Sequence, residues 1–265
     1  MRRDAQRERK LGERSSTSWE SVANWYLTWV GKDGGQHHRT VTIPAAMDLL
    51  DPKPGERILD VGAGSGVSAP AITSAGAEYV GVDVSATMLQ YARKHHGRLG
   101  RFVQADSRKL HETPELADLT FDAVLFLLSL QDMDPLAAVL HSVDRILAPR
   151  GRVAVVMTHP CFRVPRLSGW GWDESHQLQY RRVDRYLSPL AVPMETVGGP
   201  ERGMTVRFHR PLEQYVASLS EVGLLIDRLV EIPGHKVRPS GPRAKAENFA
   251  LREIPMFLGL RARRI

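Results

Sequence analysis

The sequence contains a single cysteine, Cys161, among its 265 residues, which excludes an internal disulfide framework. It also lacks an apolar run near the length of about 20 residues that a helix needs to cross a bilayer. The first ten residues are mostly charged and are not followed by the apolar stretch of a secretory signal. With 42% hydrophobic and 25% charged residues, the composition is that of an ordinary globular domain. These features predict a cytoplasmic protein without a membrane segment.

Side-chain clusters with metal-ligand spacing are also missing from the sequence. His95 and His96 are adjacent on a predicted helix, where their side chains point in different directions, and no metal is expected. The net charge of +6 is concentrated near the two ends and in residues 235–245. Because basic ends are more often solvated tails than binding surfaces, nucleic acid is not the expected partner. An enzyme acting on RNA is kept as an alternative.

Predicted strands and helices alternate regularly from residue 57 to residue 158. The hydrophobic pattern predicts five strands, at 57–61, 79–83, 101–104, 121–128 and 152–158. It predicts helical segments between them, near 67–75, 86–96, 112–117 and 135–147. Alternation of this kind is typical of an α/β fold with a doubly wound, mostly parallel sheet and helices on both faces.

The composition divides the chain into four predicted parts. They are an N-terminal arm and helical lid (1–54), the core sheet (55–158), a cap inserted after strand five (159–206) and a segment that completes the sheet (207–265). The cap shows little periodicity, and its aromatic side chains predict either a pocket for a flat or apolar molecule or the cap's own core; they are Trp170, Trp172, Tyr180 and Tyr186. The last part is predicted to contain a helix ending at Gly223, strands at 224–232 and 256–260, and a loop at 233–248.

A glycine-rich turn follows the first predicted strand. Gly62, Gly64 and Gly66 stand at alternate positions, and glycine lets a backbone pass very close to a bound ligand. The dinucleotide fingerprint requires a glycine where this chain has Val67. The spacing therefore argues against NAD, and an NAD(P)-dependent oxidoreductase is the less favoured alternative to an enzyme that binds another nucleoside.

Acidic residues stand at or just beyond the ends of the first three predicted strands, at Asp60, Asp83 and Asp106. Because the carboxyl ends of parallel strands share one edge of the sheet, all three are expected to face one crevice. Asp83 follows the first glycine by 21 residues, where a carboxylate accepts hydrogen bonds from ribose hydroxyls. Asp106 is placed to accept a hydrogen bond from an exocyclic amine. Asp60 has an equally good alternative role, which is to orient the turn.

Five motifs in this order resemble those of the class I S-adenosylmethionine-dependent methyltransferases, of the small-molecule type. They are the turn at 60–66, Val82-Asp83-Val84-Ser85, Ala105-Asp106-Ser107, Phe121-Asp122-Ala123-Val124 and the turn at 147–152. The resemblance covers roughly residues 55–158. It implies a seven-stranded sheet whose last strand runs antiparallel at the sheet edge. It also implies S-adenosylmethionine as cofactor and S-adenosylhomocysteine as its product.

The same resemblance implies a cofactor site. The three glycines would pass along the methionyl part, Asp83 would hold the ribose, Asp106 with Ser107 would meet the adenine, and Leu128 would line the methyl end. The remaining residues implied in cofactor binding are Tyr26, Arg39, Asp60, Ala63, Val84, Met88 and Ala105. The N-terminal helix would close over the cofactor, although Tyr26 is as readily explained as a core residue of that helix.

Two histidines are candidates for a general base at the acceptor side. His159 leaves the fifth predicted strand directly, and His209 stands just before a helix. An unperturbed imidazole titrates near pH 6.5, which suits proton transfer, but either histidine could instead only shape its loop. His159 is the better candidate. The expected acceptor is a small molecule, methylated on oxygen, nitrogen or carbon, and a homo-oligomer formed through the N-terminal region is left open.

Overall fold

The computed structural model describes residues 19–196 and 203–264. The strands in these ranges are β1 (Arg57–Val61), β2 (Glu78–Asp83), β3 (Gly100–Gln104), β4 (Phe121–Leu127), β5 (Leu147–Thr158), β6 (Ser168–Asp173), β7 (Leu178–Val183), β8 (Leu190–Glu195), β9 (Met204–His209), β10 (Leu224–Ile232) and β11 (Phe257–Arg264). The α-helices are α1 (Ala23–Val30), α2 (Ile43–Leu50), α3 (Ala69–Ser74), α4 (Ala86–His96), α5 (Leu136–Asp144), α6 (Leu212–Glu221) and α7 (Ala244–Glu253).

Seven strands form the central sheet, in the order β10-β11-β5-β4-β1-β2-β3. Strands β1 to β5 pair in parallel, and β11 is antiparallel to both of its neighbours, β5 and β10. This confirms the doubly wound, mostly parallel sheet with an antiparallel last strand. The expected edge position of that strand is wrong, because β11 is hydrogen-bonded on both sides and β10 lies outside it.

Helices cover both faces of the sheet. Leu49 of α2 and Leu89 of α4 pack in one buried cluster with Ile58. Leu140 of α5 and Leu219 of α6 pack in a second cluster with Leu59. Because neighbouring side chains of a strand point to opposite faces, one apolar run such as β1 supplies both clusters. The two-sided burial holds the carboxyl ends of β1, β2 and β4 in fixed positions, and the site described below is built on these ends.

A helical turn at His38–Thr42 continues into α2. Two predictions outside the best strands are wrong. The helix predicted near 112–117 is only a short 3₁₀ turn at Leu110–Glu112, because Pro114 holds the preceding residue, Thr113, in an extended conformation. The predicted loop at 233–248 ends early, and α7 begins at Ala244, just after Gly241 and Pro242.

The segment predicted as an irregular cap contains two β-hairpins. Strands β6 and β7 pair antiparallel, and so do β8 and β9. The first hairpin turn is held by Asp173, whose Oδ1 accepts hydrogen bonds from the backbone N–H groups of Ser175 at 2.9 Å and His176 at 3.0 Å. Strand β9 continues past residue 206 to His209. The four-part division of the chain stays a prediction.

The N-terminal segment begins, within the described ranges, with a 3₁₀ turn at Glu20–Val22 that leads into α1. The charged arm at 1–18 lies outside the described residues, and the homo-oligomer considered through this region stays a prediction. Over residues 19–196 and 203–264, no helix has both the length and the apolar character required to cross a membrane.

Candidate active site

A cavity of about 550 Å³ opens at the carboxyl ends of β1, β2 and β4. We call its two halves the glycine side and the cap side. The glycine side is lined by Gly62, Gly64, Asp83, Val84, Met88, Ala105, Asp106 and Ser107. The cap side is lined by Asp132, Met133, Leu190, Ala191, Val206, Phe208, His209 and Arg210. One continuous cavity therefore joins the glycine turn to the strands of the second hairpin, at the edge where ligands bind in open α/β sheets.

Two glycines of the turn have different surroundings. Gly62 has φ +75°, and a Cβ there would lie 2.5 Å from the Cβ of Ser129, so this glycine permits close packing against the chain after β4. Gly64 has φ +53°, and a Cβ there would meet no protein atom within 4 Å. The turn thus presents bare backbone to the cavity at Gly64, an arrangement that fits a ligand lying directly against the main chain.

Asp83 connects this turn to the start of α4. Its Oδ2 accepts a hydrogen bond from the N–H of Gly64 at 2.9 Å, and its Oδ1 accepts one from the N–H of Ser85 at 2.9 Å. Burial raises the pKa of Asp83, and these backbone hydrogen bonds act in the opposite direction. The carboxylate is therefore held in place on the glycine side, and its role in binding a ribose stays a prediction.

Asp106 also lies on the glycine side, but Arg108 binds its carboxylate. The Nε of Arg108 lies 2.9 Å from Oδ1, and its Nη2 lies 2.5 Å from Oδ2. The hydrogen bond to the Arg108 side chain holds the pKa of Asp106 below its usual value. An amine reaching this carboxylate would share it with a guanidinium, which the sequence did not predict.

Asp60 lies beneath the turn, where its carboxylate is almost fully buried. Oδ2 accepts hydrogen bonds from the hydroxyl groups of Ser68 and Tyr79, the latter at 3.0 Å, whereas Oδ1 has no partner among the described residues. Burial raises the pKa of Asp60 to about 6. Asp60 and Ala63 line a separate small cavity of about 30 Å³, so the contacts of Asp60 fit the alternative role of orienting the turn.

The comparisons with known proteins agree with this geometry. Residues 59–155 match the protein family described as "Methyltransferase domain". A crystal structure of an S-adenosylmethionine-dependent methyltransferase from Mesorhizobium loti superimposes with a TM-score of 0.66 at 27% identity, over 88% of this chain and 100% of that one. The chain belongs to the class I S-adenosylmethionine-dependent methyltransferases. S-adenosylmethionine is accordingly its cofactor.

Curated relatives of this methyltransferase match over a shorter range. A demethylmenaquinone methyltransferase from Tropheryma whipplei (strain Twist) is 36% identical over 117 residues, which are 44% of this chain and 48% of that protein. A ubiquinone biosynthesis O-methyltransferase from Alkalilimnicola ehrlichii is 35% identical over 99 residues, which are 37% of this chain and 40% of that protein. The chain thus spans about half the length, or less, of these curated relatives.

The cavity of the methyltransferase collects most, but not all, of the residues that the sequence predicted. It is lined by Tyr26, Gly62, Gly64, Asp83, Val84, Met88, Ala105, Asp106, Ser107, Leu128 and His209. Gly66 packs instead against Phe102 and His96. Arg39 lies outside the cavity lining, and its Nη1 donates a hydrogen bond to the carbonyl of Gly34 at 2.6 Å. The cofactor roles of these residues stay predictions.

The two candidate histidines have different positions in the methyltransferase. The Nε2 of His159 lies 2.9 Å from Oε1 of Glu231, and His159 is not part of the cavity lining. His209 lines the cavity, and its Nε2 lies 2.7 Å from the carbonyl oxygen of Tyr186. Burial lowers the pKa of both imidazoles, so both are neutral at neutral pH.

Glu20 attaches the N-terminal segment of the methyltransferase to the start of α4. Its carboxylate accepts hydrogen bonds from the hydroxyl of Ser85 and from Oγ1 of Thr87, the latter at 2.7 Å. These bonds lower the pKa of Glu20. Trp19 and Tyr26, which stand on either side of Glu20 in the sequence, line the cavity. The role of Tyr26 in a lid over the cofactor stays a prediction.

The charged residues of the cap side were not predicted from the sequence. Asp132 follows β4 on a 3₁₀ turn at Leu130–Asp132, and Arg207 of β9 donates from Nε to its Oδ1 at 3.2 Å. Arg210 donates from Nη2 to Oδ1 of Asp134 at 2.6 Å. The sequence does contain a signal for them, because Asp132 and Asp134 follow the fourth strand. The acids at the ends of β1, β2 and β3 were assigned to the site, and the same reasoning applies to the end of β4.

Proposed function

We propose that this methyltransferase transfers the methyl group of S-adenosylmethionine to a small aromatic or apolar molecule bound on the cap side. The observation that carries the proposal is the single cavity that joins the glycine turn to the wall formed by β8 and β9. The apolar part of that wall includes Leu190, Val206 and Phe208, which supply contact area for a flat acceptor.

The residues on the glycine side fit the cofactor. Gly64 leaves open space beside its backbone, and the Asp83 carboxylate is fixed next to it by the N–H of Gly64. In this proposal Gly62 and Gly64 lie along the methionyl part, Asp83 binds the ribose, Asp106 and Ser107 face the adenine, and Leu128 lies near the methyl end. When bound, the cofactor supplies an electrophilic methyl group, and the task of the protein is mainly to align the acceptor with it.

The names of the relatives support the proposed acceptor class. One relative is a demethylmenaquinone methyltransferase and the other is an O-methyltransferase of ubiquinone biosynthesis. We therefore propose a quinol-like or phenolic aromatic acceptor. The base role of His159 loses support from its position outside the cavity lining, and His209 is the better placed of the two histidines. Replacement of His209 by Asn tests that role directly.

The proposed function has a two-step test. Calorimetry with S-adenosylhomocysteine first asks whether the cofactor product binds. The protein is then incubated with S-adenosylmethionine labelled in its methyl group and with separate samples of catechol, 1,4-naphthalenediol and bulk tRNA. We expect label in the organic extract of an aromatic sample. Label in tRNA would favour the RNA alternative, and the absence of heat in the first step would refute the proposal.

A further inference from the structure

Asp132 is a largely buried carboxylate in the wall of the cavity. Its side chain is only 8% exposed, yet the residue belongs to the cavity lining. Oδ1 accepts a hydrogen bond from Nε of Arg207 at 3.2 Å. Among residues 19–196 and 203–264, the hydrogen bond from Arg207 is the only one made to this carboxylate, so Oδ2 is left without a protein donor at the wall of the cavity.

The groups around Asp132 come from several elements. Two cations act on its charge, Arg207 of β9 and Arg210, which follows β9. Two neutral phenols also lie near enough that the charge of Asp132 raises their pKa values, those of Tyr26 and Tyr215. Burial is the largest effect on the carboxylate and raises the pKa of Asp132 to about 6 in spite of both arginines. A carboxylate of this kind is ionised at neutral pH and is a stronger base than an exposed one.

We propose that Asp132 is the proton acceptor of the acceptor site, and that its Oδ2 binds an acidic hydroxyl of the substrate while Arg207 positions the carboxylate. This inference rests on the proposed function and narrows its acceptor class. An ionised carboxylate only accepts hydrogen bonds, so the group that it binds must carry a proton. The guanidinium groups of Arg207 and Arg210 repel a cationic amine. Among neutral groups that carry a proton, a phenolic or enolic hydroxyl is acidic enough to pass that proton to a carboxylate as the methyl group is transferred, so this is the acceptor class that we infer.

The step is balanced without a further reactant. An oxygen lone pair of the acceptor forms the new bond to the methyl carbon, and the carbon–sulfur bond breaks with its electron pair left on sulfur. The hydroxyl proton passes to Oδ2 of Asp132, which becomes a neutral carboxylic acid. After the product leaves, water takes this proton and restores the carboxylate. Arg207 is a positioning residue, because it acts through its hydrogen bond to Oδ1.

The test measures the titration of Asp132 apart from catalysis. Protein labelled with ¹³C at aspartate carboxyl groups is titrated by NMR as the complex with S-adenosylhomocysteine, and the Asp132 signal is assigned by its loss in Asp132→Asn. We expect a midpoint near pH 6. We expect a lower midpoint when catechol, phenol or 1,4-naphthalenediol is added, since a donated hydrogen bond favours the ionised form. In Arg207→Gln the midpoint should rise.

Activity supplies the second readout, with Asp227→Asn as the matched control because the Asp227–Arg261 ion pair lies outside the cavity lining. We expect Asp132→Asn to bind S-adenosylhomocysteine as the wild type does and to lose about 100-fold or more in transfer to the hydroxyl acceptor. A midpoint unaffected by all three hydroxyl compounds, or wild-type transfer by Asp132→Asn, would overturn the inference. If wild-type protein does not bind S-adenosylhomocysteine, the proposed function itself fails.

Discussion

Replacement of Gly62 by alanine tests how the turn and the chain after β4 depend on each other. Gly62 has φ +75°, a conformation that L-residues rarely adopt. The new Cβ would lie 2.5 Å from Cβ of Ser129 and 2.9 Å from Cε of Met133. Ser129 cannot move freely, because its hydroxyl donates a hydrogen bond to the carbonyl of Val61 at 2.6 Å. The substitution therefore affects both the backbone and the packing.

The expected loss of stability has two contributions. A left-handed conformation costs an L-residue about 1–2 kcal/mol. Forcing an extra methyl into a packed site adds about 1–3 kcal/mol. We therefore expect Gly62→Ala to lower the free energy of unfolding by about 2–5 kcal/mol. Gly64→Ala is the matched control, because it shares the positive φ but has no protein atom within 4 Å of the new Cβ, and it should lose only the first contribution.

Urea unfolding of the wild type and both variants, followed by circular dichroism, measures this difference. Gly62→Ala should be less stable than Gly64→Ala by about 1–3 kcal/mol. For ligand binding we expect the opposite order, with Gly64→Ala the more affected variant. Its new methyl group would occupy space on the glycine side of the cavity, so S-adenosylhomocysteine should bind Gly64→Ala much more weakly than wild type. Equal loss of stability in the two variants would refute the packing argument at Gly62.

Three further predictions concern single carboxylates and their partners. Because the native pKa of Asp60 is raised to about 6, ionisation of this carboxyl destabilises the fold as pH rises. In urea unfolding, the stability of Asp60→Asn relative to wild type should therefore increase by about 2 kcal/mol between pH 4 and pH 7. A flat difference across that range would contradict the assignment. Glu20→Ala should loosen the attachment of the N-terminal segment to α4, because it removes the hydrogen bonds to Ser85 and Thr87. Amide hydrogen exchange should then become faster in α1 and stay unchanged in α5, whereas unchanged exchange in α1 would mean that other contacts hold this segment. Arg108→Met should raise the pKa of Asp106, measured by carboxyl NMR, and an unmoved titration would show that Arg108 does not bind this carboxylate in solution.

The core of the sheet could be predicted from the sequence because its signals are local. Strand β1 was predicted with the bounds that the structure has, and so was β10 at Leu224–Ile232. Successive side chains of a strand point to opposite faces of the sheet, so the burial of each face determines which positions of these strands are apolar. The turn at Gly62 and Gly64 and the acid at Asp83 follow from the same local pattern. These features fix the glycine side of the cavity before any tertiary contact is known.

The cap side could not be predicted in this way. Strand β6 is half-buried at all six positions, so its sequence has no alternation to detect. The pairing of Asp132 with Arg207 joins residues that are 75 positions apart, which only the folded cap brings together. Helix α7 was not predicted, because Gly241 and Pro242 were interpreted as part of a loop that extends to residue 248. In the structure they lie just before the start of the helix.

The position of β11 between β10 and β5 makes the order of assembly matter. A chain that grows from its N-terminus completes the parallel strands first, but the free edge of β5 has no partner until Phe257–Arg264 has been synthesised. Strand β10 is made earlier and pairs with β11 alone. The nascent protein therefore carries unpaired edges on β5 and on β10 until β11 inserts between these strands, and unpaired edges of this kind favour association with other chains. Deletion of Phe257–Arg264 would leave β5 and β10 without the strand that pairs with both of them.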